Sequence, residues 1–332
     1  MRSPVNAPTD WLLEGPAFVR YRTLVDLMGK PATAAEVKAA RLEMLADPLV
    51  KQLVADVNGW ERQPTITRHN DAVHPLHKLV FAADIGLNRK ELKPGVDSVL
   101  SHQAPEGPLQ IKIVIPRAFG GDDVPRWDWV ATDAPLVLYA LLHLGVRNKR
   151  VMKGVEHVRS RIAEPGFPCF ASTRMGKFKG PGRRSDPCPY ANLIILRMLA
   201  ELPETAKSQE ARRAVEMLLH HWEVRGKKKY FMFGIGTDFA KPKAPLIWYD
   251  ILHFVDTLTR LACARKDKRL RQVVELLGSR ADSEGRLTSM SIWTKWKGWE
   301  FCQKKEPSYW LTLLYHRALA RFDLRSGGGT PC

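Results

Sequence analysis

The chain has 332 residues, 45% of them hydrophobic and 26% charged, which is enough apolar material for one large core or two modest ones and too much for a disordered protein. Its 52 lysines and arginines against 35 acids leave a formal net charge of +17, so the expected partner is anionic: nucleic acid, a phosphorylated small molecule or a membrane face. No apolar run reaches the roughly 18 residues of a membrane span, the N-terminal MRSPVNAPTDWLLEG lacks the basic-then-apolar order of a signal peptide, and five cysteines without a CxxC pair indicate neither a disulfide framework nor a zinc knuckle, so a soluble cytoplasmic protein is the expectation.

Taken in chain order, six segments share one grammar. They are GPAFVRYRTLVDLMG from Gly15, DAVHPLHKLVFAADIGL from Asp71, TDAPLVLYALLHLG from Thr132, DPCPYANLIILRMLAEL from Asp186, APLIWYDILHFVDTLTRLA from Ala244 and EPSYWLTLLYHRAL from Glu306. Each places a proline near its start, where the missing N–H costs a helix nothing, and then runs apolar for several turns. The anchors Pro16, Pro75, Pro135, Pro189, Pro245 and Pro307 recur about every 55 to 60 residues, the period of a supersecondary unit.

Between them lie helices of a second kind. KPATAAEVKAARLEMLADPLVKQLVADV, NRKELKPGVDSVLSHQ, NKRVMKGVEHVRSRIA, ETAKSQEARRAVEMLLHHWEV and KDKRLRQVVELLGSRA carry apolar residues at helical spacing opposite a charged face. After each comes a stretch rich in turns and aromatics, such as EPGFPCFASTRMGKFKGPGRRSD. Alternating all-round-apolar and one-sided helices fit an inner ring buried by an outer ring. The expected fold is therefore an all-α α/α toroid, with six inner and five to six outer helices, over residues 1–323, followed by a flexible tail, 324–332. An open solenoid is the competing architecture, but its second helices should show a solvent stripe.

KPKAPLIWYDILHFVD, residues 241–256, reads as such an inner helix, apolar through Leu246, Ile247, Trp248, Ile251, Leu252, Phe254 and Val255. It nevertheless carries Asp250 and His253 one turn apart, with Lys241 and Lys243 ahead of them.

The repeated helix pairs and the connecting loops AEPGFPCF and SEGRLTSMSIW resemble the repeats of the prenyltransferase and squalene-cyclase superfamily. In more detail, WLLEGPAFVRYRTLVDL, HPLHKLVF, GKFKGPGRRSDPCPYA, GTDFAKPKAPLIWYDILH and QKKEPSYWLTLL are similar to a group of uncharacterised single-barrel bacterial and archaeal proteins of that superfamily. The resemblance implies a toroid of terpenoid cyclase or protein prenyltransferase type; function has to be argued from the site.

In such a ring the inner helices run parallel and their N-termini open at one end. Five loops would bring cations there: Lys177, Lys179, Arg183 and Arg184; Lys241 and Lys243; Lys304 and Lys305; Arg68; and Arg126. Lys and Arg beside helix N-termini make an anion site; the alternative is ordinary solvated charge. His74, His77, Asp133, Asp186, Asp250 and His253 lie in the first turns of apolar segments, where a buried acid or imidazole needs a partner or a wet cavity. Asp133 and Asp186 read better as helix caps, whereas Asp250, placed inside its helix, reads as a cavity group working with His253 as an acid–base pair. Trp248, Tyr249, Tyr309, Trp310, Tyr139 and Tyr190 either line a ligand or are simply core. Cys169 and Cys188 with a histidine could hold zinc, but no spacing is diagnostic; no cofactor is assigned, and magnesium or zinc stays open.

Class II terpene cyclases, as the resemblance implies, need a DxDD motif, and this chain has only GGDDVPRWDW with Asp122, Asp123 and Asp128; the zinc triad of protein prenyltransferases does not map either. The leading expectation is a terpene-cyclase-like or prenyl-diphosphate-acting enzyme. In it Asp250 with His253, Asp133, His74 and His77 would move protons, and Lys177, Lys179, Arg183, Arg184, Asp186, Lys241, Lys243, Lys304 and Lys305 would surround the phosphate. Trp248, Tyr249, Tyr309 and Trp310 would line the tail. One alternative is a hydrolase, lyase or isomerase of a phosphorylated or carboxylated metabolite on the same barrel. The other is a nucleic-acid binder using basic clusters such as KDKRLR and NKR, although no known module is visible. Peripheral membrane contact and oligomeric state stay open.

Overall fold

A computed structural model describes residues 7–175, 186–228, 230 and 233–323. The chain divides into two compact units, one of Met1–Leu53 with Thr237–Cys332 and one of Val54–Gly236.

The first unit begins with α1 (Thr9–Glu14), α2 (Ala17–Asp26) and α3 (Ala35–Ala46), and α4 (Pro48–Asn58) carries the chain across the boundary. The second unit holds α5 (Pro75–Asp84), α6 (Lys93–Ser101), a two-stranded antiparallel ribbon of β1 (Ile111–Ile113) and β2 (Arg126–Asp128), then α7 (Ala134–His143), α8 (Lys149–Arg159), α9 (Pro189–Leu199), α10 (Pro203–Ala206) and α11 (Gln209–Glu223). The chain returns to the first unit with α12 (Ile251–Leu258), α13 (Ala262–Arg265), α14 (Lys268–Gly278) and α15 (Tyr309–Asp323). The structure is thus predominantly helical, as the periodicity predicts.

In the second unit α5, α7 and α9 pack side by side, with α8 against α7 and α11 against α9. Leu136 to Leu142 of α7 and Leu193 to Ile195 of α9 are all buried, so these helices have no solvent stripe. Burying each such Leu, Ile or Val side chain contributes about 1.5–3 kcal/mol, which is what holds the row together. In the first unit α12, α15 and α2 form a comparable row, with α14 on α12 and α3 on α2. Every residue of α12 is buried.

The one-sided helices start where their sequences supply caps. Asn148 accepts from Val151 N at the start of α8, Ser208 from Ala211 N at α11 and Asp267 from Arg269 N at α14. The long amphipathic run after Lys30 is broken in two, because Asp47 ends α3 and caps α4 through Leu49 N at 2.7 Å and Val50 N at 3.2 Å. Pro75 and Pro189 open α5 and α9 at the first helical position and Pro135 follows the start of α7.

Residues 241–256 correct the expected inner helix. Residues 241–250 are not helical, and α12 begins only at Ile251. Pro242 and Pro245 push Lys241 and Ala244 away from helical backbone, so the apolar run before Asp250 is a buried irregular segment rather than helix. The β1–β2 ribbon is a second departure from the expected all-α fold, although Leu109, Gln110, Ile111, Lys112 and Ile113 alternate apolar and polar as a strand does.

Candidate functional site

In the second unit the chemistry gathers where the buried helices start. The residues at the N-cap positions of α5, α7 and α9 are His74, Asp133 and Cys188. Irregular backbone pairing brings two of these starts together with the loop before them. Val130 bridges Ala171 and Pro168 bridges Pro187, both antiparallel, with Ala131 N donating to Phe170 O at 2.7 Å and Cys188 N to Phe167 O at 2.9 Å. Thr132, Cys169 and Cys188 are carried by these three adjacent segments. Asn192 on α9 fixes the arrangement. Its Oδ1 accepts from Phe167 N at 2.9 Å, and its Nδ2 donates to the carbonyls of Phe167 and Cys188 at 2.9 and 2.8 Å.

The centre of the cluster is His69, a half-buried residue that the spacing of apolar segments does not single out. Its Nδ1 donates to both carboxylate oxygens of Asp133, at 3.0 and 3.2 Å, and that carboxylate is fully buried. The Thr132 hydroxyl lies 2.8 Å from Nδ1 and 3.0 Å from Nε2, so it straddles the ring edge and holds it instead of lining up on one nitrogen as a nucleophile would. Burial alone pulls the His69 imidazole down, but the Asp133 charge and its hydrogen bonds reverse this, leaving its pKa above the ordinary value.

The other two histidines are neutral supports. Leu76 N donates to His74 Nδ1 at 3.1 Å, and His77 Nε2 donates to the His69 carbonyl at 2.9 Å. Burial lowers their pKa values to about 4 and about 3, against a weaker opposing pull from Asp133. His74 and His77 are therefore a cap and a strut for the His69 loop rather than a proton-transferring pair. The expectation that Asp133 caps α7 is also corrected: it occupies the cap position without a side-chain cap bond and holds His69 instead. Asp186 does not hold the N-cap position of α9, which Cys188 occupies with Sγ accepting from Ala191 N at 3.5 Å. Among the described residues no group of three or more His, Cys, Asp and Glu side chains could hold a metal ion.

The first unit has its own polar group at a helix start. Asp250 is the N-cap of α12, its Oδ1 accepting from Leu252 N at 3.0 Å and His253 N at 3.1 Å, which overturns its expected place inside the helix. The His253 ring does not bond that oxygen: its Nδ1 donates to the Trp248 carbonyl at 2.8 Å. Burial raises the Asp250 carboxyl to about 7, moderated by Lys243 and the two N–H bonds. Glu300 does the same for α15, accepting from Tyr309 N at 3.1 Å and Trp310 N at 2.8 Å, and burial raises it too to about 7.

Three of the expected cations have other partners. Lys241 pairs with Asp238 at 2.9 Å, Lys243 lies over the Trp293 ring at 4.6 Å and Arg126 pairs with Asp122. Arg68, Lys304 and Lys305 are exposed, and Lys177, Lys179, Arg183 and Arg184 lie outside the described residues. Of the aromatics, Tyr309 stacks on Trp11 at 4.1 Å, Trp310 packs on Phe18 at 5.6 Å, Tyr249 packs on Phe239 at 5.4 Å and Trp248 is half-buried. No helix among the described residues is long and apolar enough to cross a membrane.

No protein-family model matches the chain, and no curated protein does. Among solved structures it is similar to an unsaturated glucuronyl hydrolase of Bacillus sp. GL1, responsible for the degradation of glycosaminoglycan, at 15% identity and a TM-score of 0.49 over 97% of this chain and 88% of that one. A GH76 α-mannanase of Bacteroides thetaiotaomicron aligns at 11% identity and a TM-score of 0.48 over 95% and 87%, and a protein from Actinoplanes at 14% and 0.42 over 92% and 90%. The two named enzymes act on carbohydrates. The capping role of Asp250, the Lys241–Asp238 pair and the contact of Lys243 with the Trp293 ring correct the expectation of a terpene-cyclase-like enzyme acting on an isoprenoid diphosphate.

Proposed function

We propose that the protein is a hydrolase of a small carboxylated or phosphorylated metabolite, with His69 as its acid–base group and Asp133 as the residue that orients and charges it. The observation that carries this is the His69–Asp133 ion pair, a half-buried imidazole held by a fully buried carboxylate. A raised imidazole pKa keeps a proton available near neutrality for a leaving group, and the conjugate base can then activate water. The starts of α5, α7 and α9 add partial positive charge on the same side, which favours an anion. This partial charge supports the anionic small-molecule partner expected from the composition, independently of the lysine cluster.

The reading needs no cofactor. The α/α toroid remains part of the proposal, supported by the six-fold repeat and by a row of three packed helices in each unit.

The test is a panel of chromogenic phosphate esters, carboxylate esters and uronides, assayed with the wild type and with His69→Gln and Asp133→Asn. An anionic member should be hydrolysed, and each variant should lose about a hundredfold or more of kcat. Equal turnover by the variants would remove His69 from the chemistry. Tight binding of generic DNA that weakens steeply with salt, with no turnover of the panel, would favour the nucleic-acid alternative.

A further inference from the structure

Cys169 and Cys188 are not used by the acid–base chemistry, yet the fold places them together. The antiparallel bridge between Pro168 and Pro187 sets Cys169 opposite Asp186 and diagonal to Cys188, on the same face of the pair. We propose that Cys169 and Cys188 form a redox-active dithiol that a peroxide converts to a disulfide beside His69. The proposal does not depend on what the enzyme hydrolyses.

Three features make Cys188 the reacting sulfur. The Cys169 thiol hydrogen-bonds to it, Ala191 N at the start of the 11-residue α9 donates to its Sγ at 3.5 Å, and the His69 charge lies nearby. All favour the thiolate, and they outweigh burial. Cys169 shows the complementary behaviour: donating to Cys188 and being buried push its thiol up, so it stays protonated. It is half-buried, whereas Cys188 is buried. An activated thiolate with a protonated neighbour is the arrangement of an attacking and a resolving cysteine.

Atoms and electrons balance over two steps. The Cys188 thiolate attacks one peroxide oxygen, the O–O bond breaks, and hydroxide leaves to take up a proton as water. The resulting sulfenic acid is attacked by the Cys169 sulfur, which gives up its proton; the S–S bond forms and a second water departs. Two thiols are oxidised and one peroxide is reduced to two waters. The disulfide removes the negative charge that helps to hold the His69 proton, so oxidation should lower the His69 pKa.

The full-length protein is treated with hydrogen peroxide, alkylated under denaturing conditions and mapped without reduction by mass spectrometry. The expected result is a Cys169–Cys188 linked peptide that dithiothreitol abolishes, with Cys263 and Cys302 still alkylated. Dimedone should then trap Cys188 in Cys169→Ser, and nothing at Cys169 in Cys188→Ser. Alkyl groups on both Cys169 and Cys188 of the oxidised wild type would overturn the proposal, a result that does not require either variant to fold. So would an unchanged His69 titration, followed by NMR, in protein whose disulfide had been confirmed.

Discussion

Arg197 on α9 donates through Nη2 to both oxygens of Asp84 on α5, at 2.7 and 2.6 Å, in the interior of the second unit. Tyr139 on α7 donates to the same carboxylate at 2.6 Å, and its ring lies 4.2 Å from the guanidinium. One buried acid thus ties three neighbouring helices together. Removing either partner strands a charge, so Asp84→Leu or Arg197→Leu should each cost about 3–5 kcal/mol. The double variant should cost less than the sum of the two. Urea unfolding of the wild type and the three variants checks this, and simple additivity would show that the pair is not coupled.

Asn192 should matter as a positioning residue. Asn192→Leu strands the Phe167 N–H, at about 1–3 kcal/mol, while the Phe167 C=O keeps its bond from Cys188 N. The same substitution should slow formation of the Cys169–Cys188 disulfide under peroxide. Wild-type stability in the Leu variant would show that the Phe167 loop holds itself.

Asp250 and Glu300 make a prediction about pH. Both carboxyls are raised to about 7 in the folded chain, so the folded state binds protons that the unfolded state releases from about pH 4 upward. Stability should therefore fall as pH rises from about 4 to about 7 and level off above that. Asp250→Asn keeps an acceptor for Leu252 N and His253 N but removes one titration, so its profile should be flatter. Asp250→Ala also loses the cap, at about 1 kcal/mol. Parallel profiles for wild type and Asn variant would refute the raised carboxyl.

His69 acts in the same direction, over a higher range of pH. Its raised pKa means that the pairing with Asp133 stabilises the fold fully below the ordinary imidazole range and is lost as pH climbs through the folded value. NMR titration should place His69 above its ordinary value in the wild type and lower in Asp133→Asn, where only the smaller pull of Cys188 opposes burial. An unchanged midpoint in the variant would show that Asp133 does not set the charge.

Gly95 on α6 gives a purely steric test. A Cβ there would sit 2.4 Å from the Val57 carbonyl oxygen, and the Gly95 N–H already donates to Asn58 Oδ1 at 3.0 Å. Gly95→Ala gains helix propensity but forces this close approach apart, and should lower stability by about 1–3 kcal/mol in thermal unfolding. A stabilised variant would mean that the two segments separate freely.

The one-sided helices α6, α8, α11 and α14 are legible in the sequence because little except a half-exposed helix produces apolar residues at a 3.6-residue period. Pro75, Pro135 and Pro189 mark their helix starts through an equally local effect, the lost N–H. Residues 241–250 mislead because a buried irregular segment is as apolar as a buried helix, and periodicity cannot separate them; the two prolines are the better guide. That shift in the start of α12 turns Asp250 from an interior residue into a cap. His69 escapes notice because it stands in a loop with no period, although RHNDAVHPLH already crowds three histidines together. The proximity of Cys169 to Cys188 arises from the Pro168–Pro187 bridge within the connection between α8 and α9, which no spacing rule encodes.

An imidazole, a carboxylate and a thiol stand at the openings of α5, α7 and α9, positions where serine, threonine or asparagine would serve the backbone as well or better. Because each group stands at the tip of a cylinder whose apolar flanks are packed independently, exchanging any of them alters reactivity while leaving the hydrophobic interior beneath intact. Such a scaffold can be retuned at three single codons, with its foundations undisturbed.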